Sequence, residues 1–215
     1  MLKQLKPAIL SVLAFTVLCG FVFPFLITAI AQVAMPDRAN GSLITRNGVI
    51  IGSELIGQNF SKREYFHPRP SAAGGGYDGA LSGGTNLGPI SGKLINGIHN
   101  TLPDGSDDPG NYQGIRDLAI AYRLENGLPE NAAVPADAVT RSASGLDPHI
   151  SPANAALQVQ RVAKARGFND IMTQRLAELV ARHTEGRTFG LLGEPRVNVL
   201  MLNLALDSLS DSESP

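Results

Sequence analysis

From Pro7 to Pro36 the chain carries no charged residue, and apolar side chains fill 22 of the 28 positions from Ala8 to Met35. At 1.5 Å per residue, 28 helical residues reach about 42 Å, more than the roughly 30 Å of a bilayer's hydrocarbon core. The pattern predicts one membrane-crossing helix, tilted or extended past the headgroups. A cleaved signal peptide is the competing reading, because Lys3 and Lys6 form a basic start and Ala29-Ile30-Ala31 resembles a small-residue cleavage site. Signal h-regions run about 7–15 residues, so the length favours a retained anchor. Bulky Leu18 before Cys19 argues against lipid attachment there. Lys3, Lys6 and the amino terminus precede the run, whereas Asp37 and Arg38 cancel after it. The positive-inside rule then places the N-terminus in the cytoplasm and everything beyond Pro36 outside it. Pro24 cannot donate to the carbonyl of Gly20, which predicts a kink. Thr16 and Gly20 form a small-xxx-small pair, so Thr16, Gly20 and Pro24 are the candidate partner-interface residues of the helix.

Past the anchor the pattern changes to short alternations and longer helical periods. Leu43-Ile44-Thr45 and Val49-Ile50-Ile51 flank Asn47-Gly48, a hairpin signal. Residues 68–92 hold eight glycines, with Gly74-Gly75-Gly76 in a row, and Pro68, Pro70 and Pro89 besides. That composition predicts an extended loop, and a loop of this length in a compact domain is usually functional. Helical period returns from Tyr112 to Asn126, with Ile115, Leu118, Ala119 and Tyr122 on one face and Gly127 as a stop. Ser151-Pro152 opens a second helix running to Gly167. Asn169 opens a third, with Met172, Leu176, Leu179 and Val180 facing inward and Gly186 following its end. Glu194 to Leu206 starts like a helix but is apolar on both faces of a strand as well; it is read as a helix. The expected class is α+β: a single N-terminal transmembrane helix (1–36), one mixed α/β extracytoplasmic domain (37–206), and an acidic Ser-rich tail (207–215) that frays.

Composition sharpens this division. The 215 residues are 43% apolar with 18 basic and 19 acidic side chains, a net charge of −1 and a mean hydropathy of +0.03. The average hides an anchor of +2 and a remainder of −3. A cytosolic single-domain enzyme is a poor fit, and no clustered basic surface marks a nucleic-acid partner. Cys19 is the only cysteine, so no intrachain disulfide forms and the outer domain is held by packing alone.

Several stretches imitate active sites. Gly88 to Lys93 approaches a phosphate-binding P-loop, but only three residues separate Gly88 from Gly92 and Leu94 replaces the Ser/Thr that would hold magnesium. Leu81-Ser82-Gly83-Gly84-Thr85 resembles the LSGGQ signature of ABC transporters, with Thr85 off the pattern. A turn-rich surface loop is the plainer reading. Ser144, Asp147 and His149 are the residue types of a hydrolase triad, without the Gly-x-Ser-x-Gly elbow. A hydrogen-bonded turn leading into the cap at Ser151 explains them better. His67, His99, His149 and His183 do not fall at metal-ligand spacing. One helix without a potassium-filter sequence forms no pore by itself.

In their order, many segments closely resemble the C subunit of the bacterial high-affinity potassium-transporting Kdp ATPase. These are the apolar helix with Pro24, Ala39-Asn40-Gly41-Ser42, Gly52-Ser53, Leu55-Ile56-Gly57-Gln58, Tyr65-Phe66 and Arg69-Pro70-Ser71-Ala72. Further on come Ser82-Gly83-Gly84-Thr85-Asn86, Ser142 to Pro152, Gln160-Arg161-Val162-Ala163 and Gly193-Glu194-Pro195-Arg196-Val197-Asn198-Val199-Leu200. The resemblance implies a non-catalytic, single-pass subunit of the inner membrane. It implies a four-part complex with three partner subunits, a channel-like K⁺-translocating subunit, a P-type ATPase catalytic subunit and a very small membrane peptide, while the apolar run adds the lipid bilayer as a fourth contact. Its role would be assembly and, as proposed for that family, that of a catalytic chaperone raising the ATP affinity of the hydrolysing subunit. No cofactor of its own is implied, ATP entering only through the complex.

The nucleotide contact proposed for that family maps onto Leu81, Ser82, Gly83, Gly84 and Thr85. The charge asymmetry of the anchor puts that loop on the side without ATP, which makes an ATP effect indirect. Two other readings stand beside the accessory subunit: a nucleotide-binding regulator acting through Leu81–Thr85, and an anchored hydrolase using Ser144 and His149.

Overall fold

The computed structural model describes residues 2–211. The chain divides into two compact units, one ending at Ser53 and the other beginning at Glu54.

In the first unit, Leu2–Val17 (α1), a π-helical turn at Leu18–Val22 and Phe23–Ala34 (α2) form one continuous apolar helix. Its uncharged stretch is long enough to cross a membrane, and none of it is buried inside the protein. The interruption expected from Pro24 takes the form of the π turn. With no N–H on Pro24, the ladder slips to a five-residue spacing and the Phe23 N–H donates to the Leu18 carbonyl. Pro36–Ala39 (α3) follows, its end held by Asn40, whose side chain bonds Gln32 at 3.2 Å and the Pro36 carbonyl at 2.8 Å. Leu43–Arg46 (β1) and Val49–Ser53 (β2) make the expected hairpin. Asn47 and Gly48 both adopt the positive φ that a two-residue turn demands. The Ser53 hydroxyl donates to the Gly41 carbonyl at 2.6 Å, closing the hairpin onto the turn before it.

In the second unit no helix or multi-residue strand occurs before Gly92–Asn96 (α4), in agreement with the loop expected from the glycine content. Then come Ile115–Asn126 (α5), Ala136–Val139 (α6), His149–Ile150 (β3), Pro152–Ala165 (α7), Asp170–Arg182 (α8), Thr184–Glu185 (β4), Arg196–Asn198 (β5) and Val199–Asp211 (α9). Strands β3, β5 and β4 form a small antiparallel sheet with β5 central. Ser151 and Asn169 cap α7 and α8 as expected, each side-chain oxygen accepting an N–H from the first helical turn. Gly127 closes α5 in the left-handed conformation.

Three elements end differently from the sequence expectation. Helix α8 stops at Arg182 rather than near Gly186, because Thr184 and Glu185 pair with β5. The segment expected to be helical from Glu194 is a strand through Asn198 and helical only from Val199. Val197 is fully buried between two strands there, which uses the two-sided apolarity that made the segment ambiguous. Residues 207–211 of the acidic tail belong to α9, and Asp207 is fixed by Arg166 at 2.7 Å. The rest of the tail lies outside the described residues.

The main core lies among α7, α8, α9 and β5, where Ala155, Val162, Leu176, Val197, Leu202 and Leu206 are sealed from solvent. Phe66, from the loop region, is also fully buried in it. A smaller cluster joins Tyr122 of α5 to Ala138 and Val139 of α6.

Candidate functional site

The long irregular segment from Gly57 to Asn86 needs partners for its backbone, since buried N–H and C=O groups left unpaired are costly. Helices α7 and α9 supply them through side chains. Asn203 accepts from the Phe66 N–H at 2.8 Å and donates to the Phe66 carbonyl at 2.9 Å. Gln158 does the same for His67, at 2.7 and 3.1 Å. Arg161 donates to the carbonyls of Arg63 and Tyr65 and to the side chains of Asn126 and Gln158. Asn154, Gln158 and Arg161 follow one another at four- and three-residue steps, so α7 presents a polar stripe along one face. All three are almost completely buried. Burial pulls the Arg161 guanidinium below its usual pKa, opposed by the nearby Glu125. At the far end, Arg166 donates to the Glu64 carbonyl and pairs with Asp207 while stacking on Tyr65.

Beyond His67 the segment docks on the turn at 142–149. Arg69 pairs with Asp147 at 2.8 Å and reaches the Thr140 carbonyl. Ser71 donates to the Gly145 carbonyl at 2.7 Å and accepts from the N–H groups of Ala73 and Tyr77. Tyr77, in a left-handed conformation, donates its hydroxyl to the Arg69 carbonyl at 3.0 Å and lies within 3.3 Å of the Asp147 carbonyl. A side chain at Gly57 would strike the Tyr77 ring and the Asp147 carbonyl, so glycine lets the ring approach the backbone closely. Burial, reinforced by the Asp147 charge, pushes the Tyr77 phenol well above its usual range.

Burial alone would raise the Asp147 carboxyl, but hydrogen bonds from His149 and Arg69 outweigh it and hold the group down at about 2. Its folded value lies below the ordinary 3.8, so its stabilisation is complete above about pH 4 and is lost as pH falls toward 2. The shift corresponds to about 2 kcal/mol. All four tyrosines lie beyond Glu54 and the chain has no tryptophan, so tyrosine fluorescence reports on the second unit alone. Denaturant unfolding of the full chain in detergent should show this loss between pH 4 and 2, and Asp147→Asn should remove that component.

The sequence-derived candidates fall into place as follows. Leu81 is exposed, whereas Ser82 donates its hydroxyl to the Ser144 carbonyl at 3.0 Å and the Gly83 N–H bonds the same oxygen at 2.9 Å. At Gly84 a side chain would meet the Ala143 carbonyl at 2.8 Å. The Leu81–Thr85 loop is therefore fastened along residues 143–145. Ser144, Asp147 and His149 are not assembled as a relay. The Ser144 hydroxyl accepts from the Leu146 N–H within its own turn, while the His149 ring faces Asp147 at 3.4 Å. Ser91, in the P-loop-like stretch, caps α4, and the Lys93 ammonium lies over the Tyr112 ring. Thr16, Gly20 and Pro24 are exposed on the apolar helix, and an added side chain at Gly20 would meet nothing within 4 Å.

Sequence reasoning missed the clamps at Gln158 and Asn203 and the Arg69–Asp147 pair. The α7 stripe was visible as polar residues recurring at helical spacing. Asn203, an isolated polar residue among leucines, had no such signal.

A model of the family described as KdpC, the c chain of K⁺-transporting ATPases, matches residues 5–208. Three relatives are named potassium-transporting ATPase KdpC subunit. That of Koribacter versatilis is 48% identical over 215 residues, covering all of both chains. That of Mycobacterium bovis is 48% identical over 209 residues, 97% of this chain and all of the relative. The Rhodospirillum rubrum protein is 48% identical over 208 residues, 96% of each chain. Matches spanning the apolar N-terminal helix, the clamped loop and the three-helix core together mean that this chain belongs to the KdpC family, the c chain of K⁺-transporting ATPases.

Proposed function

We propose that this protein is a non-catalytic accessory subunit that stabilises a potassium-transporting complex from the outer side of the membrane. The observation that carries this reading is the apolar helix of Lys3–Ala34, none of which is buried within the chain. Such a surface is satisfied only by lipid and by neighbouring helices. The N-terminus lies in the cytoplasm, because Lys3 and Lys6 flank the helix there, and the second unit works outside the inner membrane. The partners are a channel-like K⁺-translocating subunit, a P-type ATPase subunit and a small membrane peptide, with Thr16, Gly20 and Pro24 on the packing face of the helix.

The nucleotide contact assigned to Leu81–Thr85 is a weaker component of this reading. Ser82 already spends its hydroxyl on the Ser144 carbonyl, and the loop's outer location separates it from cytoplasmic ATP. An effect on ATP affinity is transmitted through the assembly. Deleting residues 1–36 should abolish incorporation of the subunit, measured by co-purification with the other subunits; recovery of a complete, active complex without them would refute the reading.

A further inference from the structure

A cavity of about 500 Å³ opens between the clamped loop and α5. Its lining is cationic on balance: Glu125, the one carboxylate among the lining residues, is paired with His67 at 3.0 Å, and two arginines stand against it. Arg69 and Arg141 both line it, and they are neighbours in space, since Arg69 reaches the carbonyl of Thr140. Arg69 is compensated by Asp147, but Arg141 is not. Among the described residues Arg141 donates only to neutral groups, Nη1 to the Tyr112 hydroxyl at 2.7 Å and Nη1 and Nη2 to the Gln113 carbonyl at 3.3 and 3.4 Å, which leaves its Nε–Nη2 edge for a ligand. It also stacks on the Tyr112 ring at 4.6 Å, and the Lys93 ammonium sits 5.1 Å from the same ring. Among the described residues neither Lys93 nor Arg141 has a carboxylate within salt-bridge distance. Lys93 and Tyr112 lie outside the lining, but two uncompensated cations on one aromatic ring repel each other, and an anion in the cavity against Arg141 relieves that repulsion.

Other features of the cavity fit an organic anion. The side-chain amides of Asn59 and Gln113 line it and make no hydrogen bond among the described residues. Phe60 and Leu118 supply an apolar wall. A planar guanidinium held in place by a ring matches a carboxylate by two parallel N–H···O bonds. We propose that this cavity is a carboxylate-binding site in which Arg141 makes the principal contact and Gln113 a supporting one. The carboxylate belongs either to a free small molecule or to an acidic side chain of a neighbouring subunit.

Succinate is a suitable probe, titrated by calorimetry into the full chain in detergent with sodium chloride at matched ionic strength as the control. Saturable binding is expected, weakened about tenfold by Arg141→Gln and less by Arg141→Lys, which keeps the charge and loses the fork. Gln113 is exposed, so Gln113→Glu leaves the fold intact while placing a like charge at the site, and it should abolish binding. Absence of saturable binding to the unsubstituted chain, or binding unchanged in Gln113→Glu, overturns the proposal. Repeating the titration on the assembled complex identifies the source: binding retained there means a free ligand, and binding lost only there means a neighbouring subunit's carboxylate fills the cavity. Neither result depends on which side of the membrane the domain occupies, so failure here is distinct from failure of the accessory role.

Discussion

Replacing Asn203 by leucine should destabilise the second unit by about 3–5 kcal/mol, because it strips the Phe66 backbone of both its partners without changing the size of the side chain much. Asn203 is almost sealed from solvent and Phe66 is completely so. The N–H and the carbonyl of Phe66 would each remain buried and unpaired, at roughly 1–3 kcal/mol apiece. The Phe66 side chain lies in the main core, so the loop cannot swing out to water without exposing an aromatic ring. The expected observation is a large fall in the denaturant midpoint by tyrosine fluorescence. Asn203→Asp provides the contrast: it keeps the acceptor for the Phe66 N–H but loses the donor to the carbonyl and adds a buried charge, so it should be no better than leucine at neutral pH. A loss of unfolding free energy under about 1 kcal/mol for Asn203→Leu would mean that water reaches these groups and that the clamp contributes little.

Gly145→Ala is the second large effect expected, at about 3 kcal/mol. Gly145 has a φ of +70°, where a side chain costs about 1–2 kcal/mol. In addition, an added Cβ would lie 2.6 Å from the Gly83 carbonyl oxygen and 2.7 Å from the Ala73 nitrogen. Both are backbone atoms, so relief requires the glycine-rich segment to lift from the turn at 142–149, with an overpacking cost of about 1–3 kcal/mol. The variant should keep the α7–α8–α9 core and loosen residues 71–85, read as faster amide exchange at Ala73 and Gly83 than at Val162. Uniformly faster exchange through the core would contradict this division.

These two variants also mark where the sequence was legible. The apolar N-terminal helix, the hairpin at Asn47-Gly48, and the caps at Ser151 and Asn169 could be read because each depends on neighbours in the chain. Pro24 announced an interruption in the helix but not its form, since a kink and a π turn satisfy the same missing N–H. The strand at Arg196–Asn198 was ambiguous because Val197 is buried between two strands, which gives neither helical nor alternating polarity. The clamped loop was legible only as a loop. Its order comes from Gln158 and Asn203, which lie 91 and 137 residues along the chain from the backbone groups they hold, and pattern at short range carries no trace of such pairings. The same holds for Arg141: the lack of a carboxylate partner for it among the described residues is a property of the assembled surface.

The second unit is proposed to work on the outer side of the membrane, and labelling of Leu81→Cys in the full complex decides that placement. Leu81 is exposed and lies in the loop to which nucleotide contact is ascribed. The background should carry Cys19→Ala, since Cys19 is the only native cysteine. A membrane-impermeant maleimide applied to cells whose outer envelope is permeable and whose cytoplasmic membrane is intact should modify Leu81→Cys. Gln4→Cys, on the opposite flank of the helix, should be modified only after that membrane is broken. The reverse pattern, with Leu81→Cys protected until the cytoplasmic membrane is broken, would contradict the account and return the loop to the side where ATP is found.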